Sequence, residues 1–186
     1  MKRFFTLLLL AIFVTGIQAQ QKVTLRDIAQ GTYRAQGISG LKPMLDGEHY
    51  TQISSDHKRI VKYSFKTGEE VGTLFDVTTA RDCDLKSFDD YILSPDEKLI
   101  LIQTETKPIY RHSFTAVYYI YNVKNNKMEP LSNNGPQQVP LFSPDGNQIA
   151  FVRNNNIYLV KLLFGNSESQ VTKDGEYNHV LNGIPD

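Results

Sequence analysis

Ser94-Pro95-Asp96-Glu97 runs into Leu99-Ile100-Leu101-Ile102, and Ser143-Pro144-Asp145-Gly146 runs into Ile149-Ala150-Phe151-Val152. The two copies start 49 residues apart. Each is a turn with a physical reason: Ser suits the first position, Pro pre-sets φ at the second, and the Asp side chain bonds back to local amides. Each turn delivers the chain into a strand, and a second strand and a polar hairpin follow. Downstream of the first copy these are Val117-Tyr118-Tyr119-Ile120-Tyr121, the turn Asn122 to Asn126, and Met128-Glu129-Pro130-Leu131. Downstream of the second they are Ile157-Tyr158-Leu159-Val160, a break near Gly165, and Gln170-Val171-Thr172. A degenerate earlier copy runs through Ile60 to Phe65, a turn at Thr67-Gly68, and Val71 to Leu74. Self-similarity at roughly 40 to 50 residues, with several short strands per unit, marks a β-propeller. The middle strands are apolar at successive positions, which suits sheets covered on both faces; one wet face would give cleaner alternation. A plain β-sandwich whose turns share Ser-Pro-Asp stays open on these residues.

Composition agrees with an all-β domain. The 186 residues include 10 Tyr and 10 Phe, 40% are hydrophobic and 22% charged, so disorder, collagen and coiled coil are excluded. The 20 basic and 20 acidic residues cancel, leaving no long-range field for nucleic acid or an anionic membrane. One cysteine, Cys83, excludes an intrachain disulfide framework and a thiolate zinc cluster.

Lys2 and Arg3 precede an apolar run from Phe4 to Val14, broken only by Thr6, and small or polar residues lead to Ala19. The run is too short to span the roughly 30 Å hydrocarbon core as a helix. It reads as a secretory signal peptide over residues 1–19, cut after Ala19, although Ile17 is large for its position. An uncleaved membrane anchor stays open. The mature chain is expected outside the cytoplasm, periplasmic or secreted. Residues 20–40 form an N-terminal segment in which Thr24-Leu25-Arg26-Asp27 resembles a capping box, predicting a short helix through Ala29 or Gln30 before Gly31. Residues 41–186 form the propeller portion. The turn-rich Asn182-Gly183-Ile184-Pro185-Asp186 has no terminal strand to tie it down, and a truncated unit is expected.

The stretch Ser94 to Val123, SPDEKLILIQTETKPIYRHSFTAVYYIYNV, carries a sharper signal. Together with TYR at Thr32 to Arg34, FSPDGNQIAFVRNNNIYLV from Phe142, and NGIPD at the end, it resembles the dipeptidyl peptidase IV group of the prolyl oligopeptidase family of serine peptidases. The most specific element is aromatic-Arg-His-Ser-aromatic-Thr-Ala, Tyr110 to Ala116. The resemblance implies an eight-bladed propeller joined to an α/β-hydrolase domain, and removal of N-terminal dipeptides with Pro or Ala second. It implies no cofactor. The chain is therefore expected to be a partial β-propeller, about three of eight four-stranded blades, after a short N-terminal helix. In that family a Trp-Val-Tyr-Glu-Glu-Glu stretch, whose glutamates hold the substrate ammonium, follows the Asn-Gly-x-x-Asp seen at Asn182 to Asp186. The expected partners are a peptide with a free N-terminus, the hydrolase domain, and a second subunit in a homodimer; no nucleic acid is expected.

Arg111 is the one site residue the resemblance transfers, as the arginine that binds a substrate backbone carbonyl. A guanidinium stays protonated and presents a rigid donor fork, so it suits that task. Spacing alone leaves open a loop arginine paired with a surface acid. His112 is expected to shape the same loop. No Gly-x-Ser-x-Gly nucleophile elbow occurs in the 186 residues; Gly165-Asn166-Ser167-Glu168-Ser169 lacks its last glycine, and Gly37-Ile38-Ser39-Gly40 has the wrong spacing. His49, His57, His112 and His179 are too scattered for a metal site. Asp82, Asp84, Asp89 and Asp90 surround Cys83 without the glycine and distal acid of a calcium loop; they read as a solvated connection that raises the thiol pKa and leaves it inert. A non-catalytic extracytoplasmic propeller that binds protein or peptidoglycan is the competing reading. Self-assembly of partial propellers through exposed edge strands is a third.

Overall fold

The computed structural model describes residues 22–35, 37, 40–163 and 165–184. The expected signal peptide, residues 1–19, lies outside them, as do Pro185 and Asp186. The chain divides into two compact units, Met1–Ser39 and Gly40–Asp186, each described on its own.

In the first unit α1 (Leu25–Gln30) is the expected short helix. Asp27 N–H donates to Thr24 Oγ1 at 3.2 Å, and Thr24 N–H donates to Asp27 Oδ2 at 2.9 Å, so both ends of the capping box are made. Gly31 ends it with φ +67°, a left-handed conformation that costs glycine nothing.

The described residues of the second unit form twelve strands in three four-stranded antiparallel sheets. The first holds β1 (Lys42–Pro43), β2 (His49–Ile53), β3 (Arg59–Ser64) and β4 (Glu70–Asp76). The second holds β5 (Asp90–Leu93), β6 (Leu99–Pro108), β7 (Phe114–Asn122) and β8 (Lys127–Pro130). The third holds β9 (Gln138–Phe142), β10 (Gln148–Arg153), β11 (Asn156–Lys161) and β12 (Ser167–Gln170). In each sheet the strands pair in chain order, as in propeller blades.

Both Ser-Pro-Asp turns are built from the same bonds. Glu97 N–H donates to the Ser94 carbonyl and Gly146 N–H to the Ser143 carbonyl, each at 2.9 Å. Ser94 Oγ donates to Asp96 Oδ1 at 2.8 Å and accepts from Leu99 N–H at 2.9 Å; Ser143 Oγ donates to Asp145 Oδ1 and accepts from Gln148 N–H at 3.0 Å. A third copy lies at Ser54-Ser55-Asp56-His57, joining β2 to β3, where Arg59 N–H reaches Ser54 Oγ at 2.9 Å. The fourth residue is left-handed in all three: His57, Glu97 and Gly146 have φ of +56°, +58° and +71°. In the first blade the β1–β2 turn holds the place of the Ser-Pro-Asp turns. It meets its neighbour directly, with Leu45 N–H donating to Glu97 Oε1 at 2.6 Å. Gly146 lies against Pro95 and Asp96, its missing Cβ falling within 3.8–3.9 Å of their side chains.

The core lies between the blades. Ile60, Phe75 and Val77 of the first blade region meet Tyr91, Ile100, Ile102, Tyr121 and Met128 of the second. Phe75 packs edge-on against Phe88 at 5.4 Å and Tyr121 at 4.8 Å between ring centroids. On the other face of the second blade, Leu101, Ala116, Tyr118 and Ile120 meet Ile149, Phe151 and Val160 of the third. Ile100, Leu101 and Ile102 are wholly buried, pointing alternately into the two cores, which explains their unbroken apolar run. Each such side chain contributes about 1.5–3 kcal/mol on burial. The plain sandwich is thereby replaced by three successive sheets with two interfaces.

Candidate functional site

Strands alternate in direction within each blade, so the turns at 44–48, 94–98 and 143–147 share one end of the blades. The hairpins at 54–58, 109–113 and 154–155 share the other. Arg111 sits at this second end, on the tip of the β6–β7 hairpin. That hairpin is the longest, with strands of 10 and 9 residues against 6 and 6 in β10 and β11. Ile109 and Tyr110 N–H groups both donate to the Ser113 carbonyl, at 2.8 and 3.1 Å, closing a tight loop around Arg111 and His112. Both of those residues are exposed, and Tyr110 beside them is 77% exposed.

The hairpin is fixed below its tip. Its pairing slips between Thr104 and Lys107, so two residues of β6 oppose Ala116 alone, and Glu105 has φ +51°. This is a β-bulge, which bends a strand and re-aims what lies beyond it. Opposite the bulge, Ala116 exchanges both backbone bonds with Gln137, at 3.0 and 2.8 Å. Gln137 is wholly buried; its Oε1 accepts from Tyr118 N–H at 3.1 Å, and its Nε2 donates to the Gly135 carbonyl. Tyr118 OH donates to Gln103 Oε1 at 3.1 Å, and burial, with Asp90 adding to it, pushes its phenol well above the ordinary range. Among the described residues every buried side-chain nitrogen and oxygen has a partner.

The arginines of the blade unit separate cleanly. Arg59 pairs with Glu70 at 3.5 Å, and Arg81 donates to the Asn125 carbonyl at 2.5 Å. Arg153 is held by Glu168 at 2.5 Å, donates to Ser132 Oγ at 2.8 Å, and lies 4.0 Å from the Tyr158 ring centroid. Burial pushes the Glu168 carboxyl up, but bonds from Arg153, Ser132 and Asn134 outweigh it and hold the carboxyl below its ordinary value. Arg111 alone of the four has no ion pair or hydrogen bond among the described residues. The local acid that spacing left open is absent from the described structure, and the guanidinium is free to take an external acceptor.

Three of the four histidines are engaged, and His112 is exposed beside Arg111. His49 Nδ1 pairs with Asp46 Oδ2 at 2.6 Å, His57 Nδ1 lies 3.1 Å from the Phe88 carbonyl, and His179 lies 3.6 Å from Glu176. Among the described residues no three His, Cys, Asp or Glu side chains group as a metal site. Cys83 is half-buried and packs against the first inter-blade core. Its thiol pKa is raised chiefly by burial, with Asp84 and Asp76 contributing less, so apolar packing outweighs the nearby acids. Gly165 and Asn166 lie in the β11–β12 hairpin, with Ser167 opening β12; nothing there resembles a nucleophile elbow. Neither the bulge nor the bracing by Gln137 follows from local sequence pattern. A Gln-rich linker with Pro on each side was the one signal available in the sequence.

Three successive four-stranded antiparallel sheets with two buried interfaces define a β-propeller segment. Residues 94–186 match the dipeptidyl peptidase IV (DPP IV) N-terminal region, and the chain belongs to that family. It is 32% identical over 166 residues to human prolyl endopeptidase FAP, covering 88% of this chain and 21% of that protein. A probable dipeptidyl-aminopeptidase B of Emericella nidulans is 46% identical over 98 residues, covering 50% of this chain and 10% of the relative. The crystal structure of Porphyromonas gingivalis dipeptidyl peptidase 4 superposes with a TM-score of 0.73 at 40% identity, over 86% of this chain and 23% of that one. The matched part of the chain thus spans between a tenth and about a quarter of the length of these relatives.

Proposed function

We propose that this chain is the N-terminal propeller part of an extracytoplasmic serine exopeptidase that removes Xaa-Pro or Xaa-Ala dipeptides from peptides with a free N-terminus. The catalytic serine of such an enzyme comes from sequence outside these 186 residues, in an α/β-hydrolase domain. Arg111 donates to a backbone carbonyl of the substrate, holding the peptide in register while the serine attacks and an oxyanion hole receives the developing charge. A charge-assisted bond of this kind is worth about 1.5–3 kcal/mol. Homodimer formation belongs to the same reading. No helix among the described residues is long and apolar enough to cross a membrane.

The observation that carries the proposal is the unpartnered Arg111 on a hairpin braced from below, within a family that includes peptidases. The test is steady-state hydrolysis of a Gly-Pro chromogenic substrate by the intact polypeptide. Arg111→Ala is expected to lower kcat/KM by roughly 10–100-fold, with Arg111→Lys in between. Unchanged kinetics in Arg111→Ala would overturn its substrate-binding role, and no hydrolysis by the intact polypeptide would favour the non-catalytic binding module. Residues 1–186 expressed alone are expected to release no chromophore.

A further inference from the structure

The connection between the first and second blades ends at Asp89, a residue that composition and spacing consign to a solvated acidic loop. Its carboxylate is engaged. Asp89 Oδ2 accepts from Thr106 N–H at 3.0 Å and from Thr106 Oγ1 at 2.7 Å, across 17 residues of sequence. Asp89 N–H donates to the Gln103 carbonyl at 2.8 Å, so its backbone grips β6 just before the slip in register and its side chain grips the slip itself. Thr106 is the second residue of the bulge, placed where strand pairing with β7 is interrupted. The bonds run in one direction: Tyr118 OH to Gln103 Oε1, Gln103 Nε2 to Thr106 Oγ1 at 2.8 Å, and Thr106 Oγ1 to Asp89 Oδ2. Donors and acceptors aligned in this way polarise one another.

We propose that Asp89 is a positioning residue for Arg111: its carboxylate sets the bend of the β6–β7 hairpin and so the place of the guanidinium at its tip. The proposal rests on the substrate-binding role of Arg111. The lever is long. Five residues separate Thr106 from Arg111, about 16 Å if extended, so a 10° change at the bulge displaces the tip by roughly 3 Å. Displacement of about 1 Å in a reacting geometry can cost on the order of 100-fold. Gln137 braces β7 from the opposite side, so loss of the Asp89 grip lets the hairpin swing without unfolding the blade.

The experiment is a double-mutant cycle in the intact polypeptide, read by hydrolysis of a Gly-Pro chromogenic dipeptide and by amide hydrogen exchange. Asp89→Ala is expected to lower kcat/KM by about 10-fold and to speed exchange at residues 106–113, with thermal unfolding shifted by no more than about 4 °C. Asp89→Asn keeps one oxygen where both Thr106 bonds converge, and is expected to stay within about 2-fold of the parent. Thr106→Val, which removes the hydroxyl and not the amide, falls between them. In an Arg111→Ala background, Asp89→Ala is expected to have no further effect on kcat/KM, because one lever has lost its load. Full additivity of the two substitutions overturns the proposal, as does an Asp89→Asn variant as slow as Asp89→Ala. An unchanged Arg111→Ala enzyme sinks the substrate-binding role instead. Hydrogen exchange still reports on the grip in that case, and unaltered exchange at residues 106–113 in Asp89→Ala overturns it independently.

Discussion

The β6–β7 and β10–β11 hairpins occupy the same place in successive blades, and each carries an arginine. The second is compact: pairing runs without interruption from Gln148↔Lys161 to Arg153↔Asn156. Its turn is two residues, Asn154 and Asn155, with φ of +49° and +59°, the primed geometry that matches strand twist. Arg153 is spent on holding Glu168, Ser132 and the Tyr158 ring. The first hairpin is longer, bulged and tipped by an arginine with nothing in the described structure to hold. Equal topology thus places one side chain in two settings, held in one blade and without a partner among the described residues in the other. Burial and partners, rather than residue type or blade position, decide which arginine is structural.

The comparison breaks most visibly at Arg153. Arg153→Ala leaves the Glu168 carboxylate, whose side chain is 18% exposed, without its cation, and about 3 kcal/mol of stability should be lost in urea unfolding. Replacing both partners, Arg153→Met with Glu168→Leu, should recover most of that loss. Gly175→Ala comes next. An added Cβ would fall 2.3 Å from the Asn155 carbonyl oxygen, so the segment docked on the compact hairpin must shift, at a cost of about 1–3 kcal/mol in the same assay. Arg111→Ala should leave the unfolding midpoint within about 0.5 kcal/mol while slowing hydrolysis as described; a large stability loss there would erase the distinction between the two arginines.

Acid sharpens what the two blades share. Asp96 is held at about 2 by bonds from Lys98 and Ser94, below its ordinary 3.8, and Asp145 is lowered chiefly by Ser143. Both folded values lie below the unfolded ones. The turns therefore contribute fully above pH ~4 and lose that contribution as pH falls toward ~2. Acid titration followed by circular dichroism should show the loss, and Ser94→Ala should move it toward higher pH. A small effect is expected for Glu97→Ala, which removes the bond to Leu45 N–H and costs about 1 kcal/mol or less.

The parts legible in the sequence are those whose bonds are local. The capping box at Thr24 and the turns at Ser94 and Ser143 each close within five residues, so residue order nearly dictates them. The third turn at Ser54 lacks both Pro and Gly and so carries no breaker signal, although Ser-x-Asp makes the same hydrogen bonds. The short strands β5 and β9, which enter the turns, have too few residues to show a period. The motif around Arg111 was visible in the sequence. The freedom of its guanidinium was not, because that depends on where every acid in the blades ends up. The reach from Asp89 to Thr106 and from Gln137 to Tyr118 is invisible for the same reason: the partners are 17 and 19 residues apart.

Gly146 resting on Pro95 and Asp96, like Glu97 reaching back to Leu45, makes the turns the points where each sheet leans on the next. Sheets arranged around an axis splay by an angle that fixes how many complete the circle. An added Cβ at 146 would make only ordinary contact with Pro95 and Asp96, so a side chain longer than alanine is what would press the two turns apart.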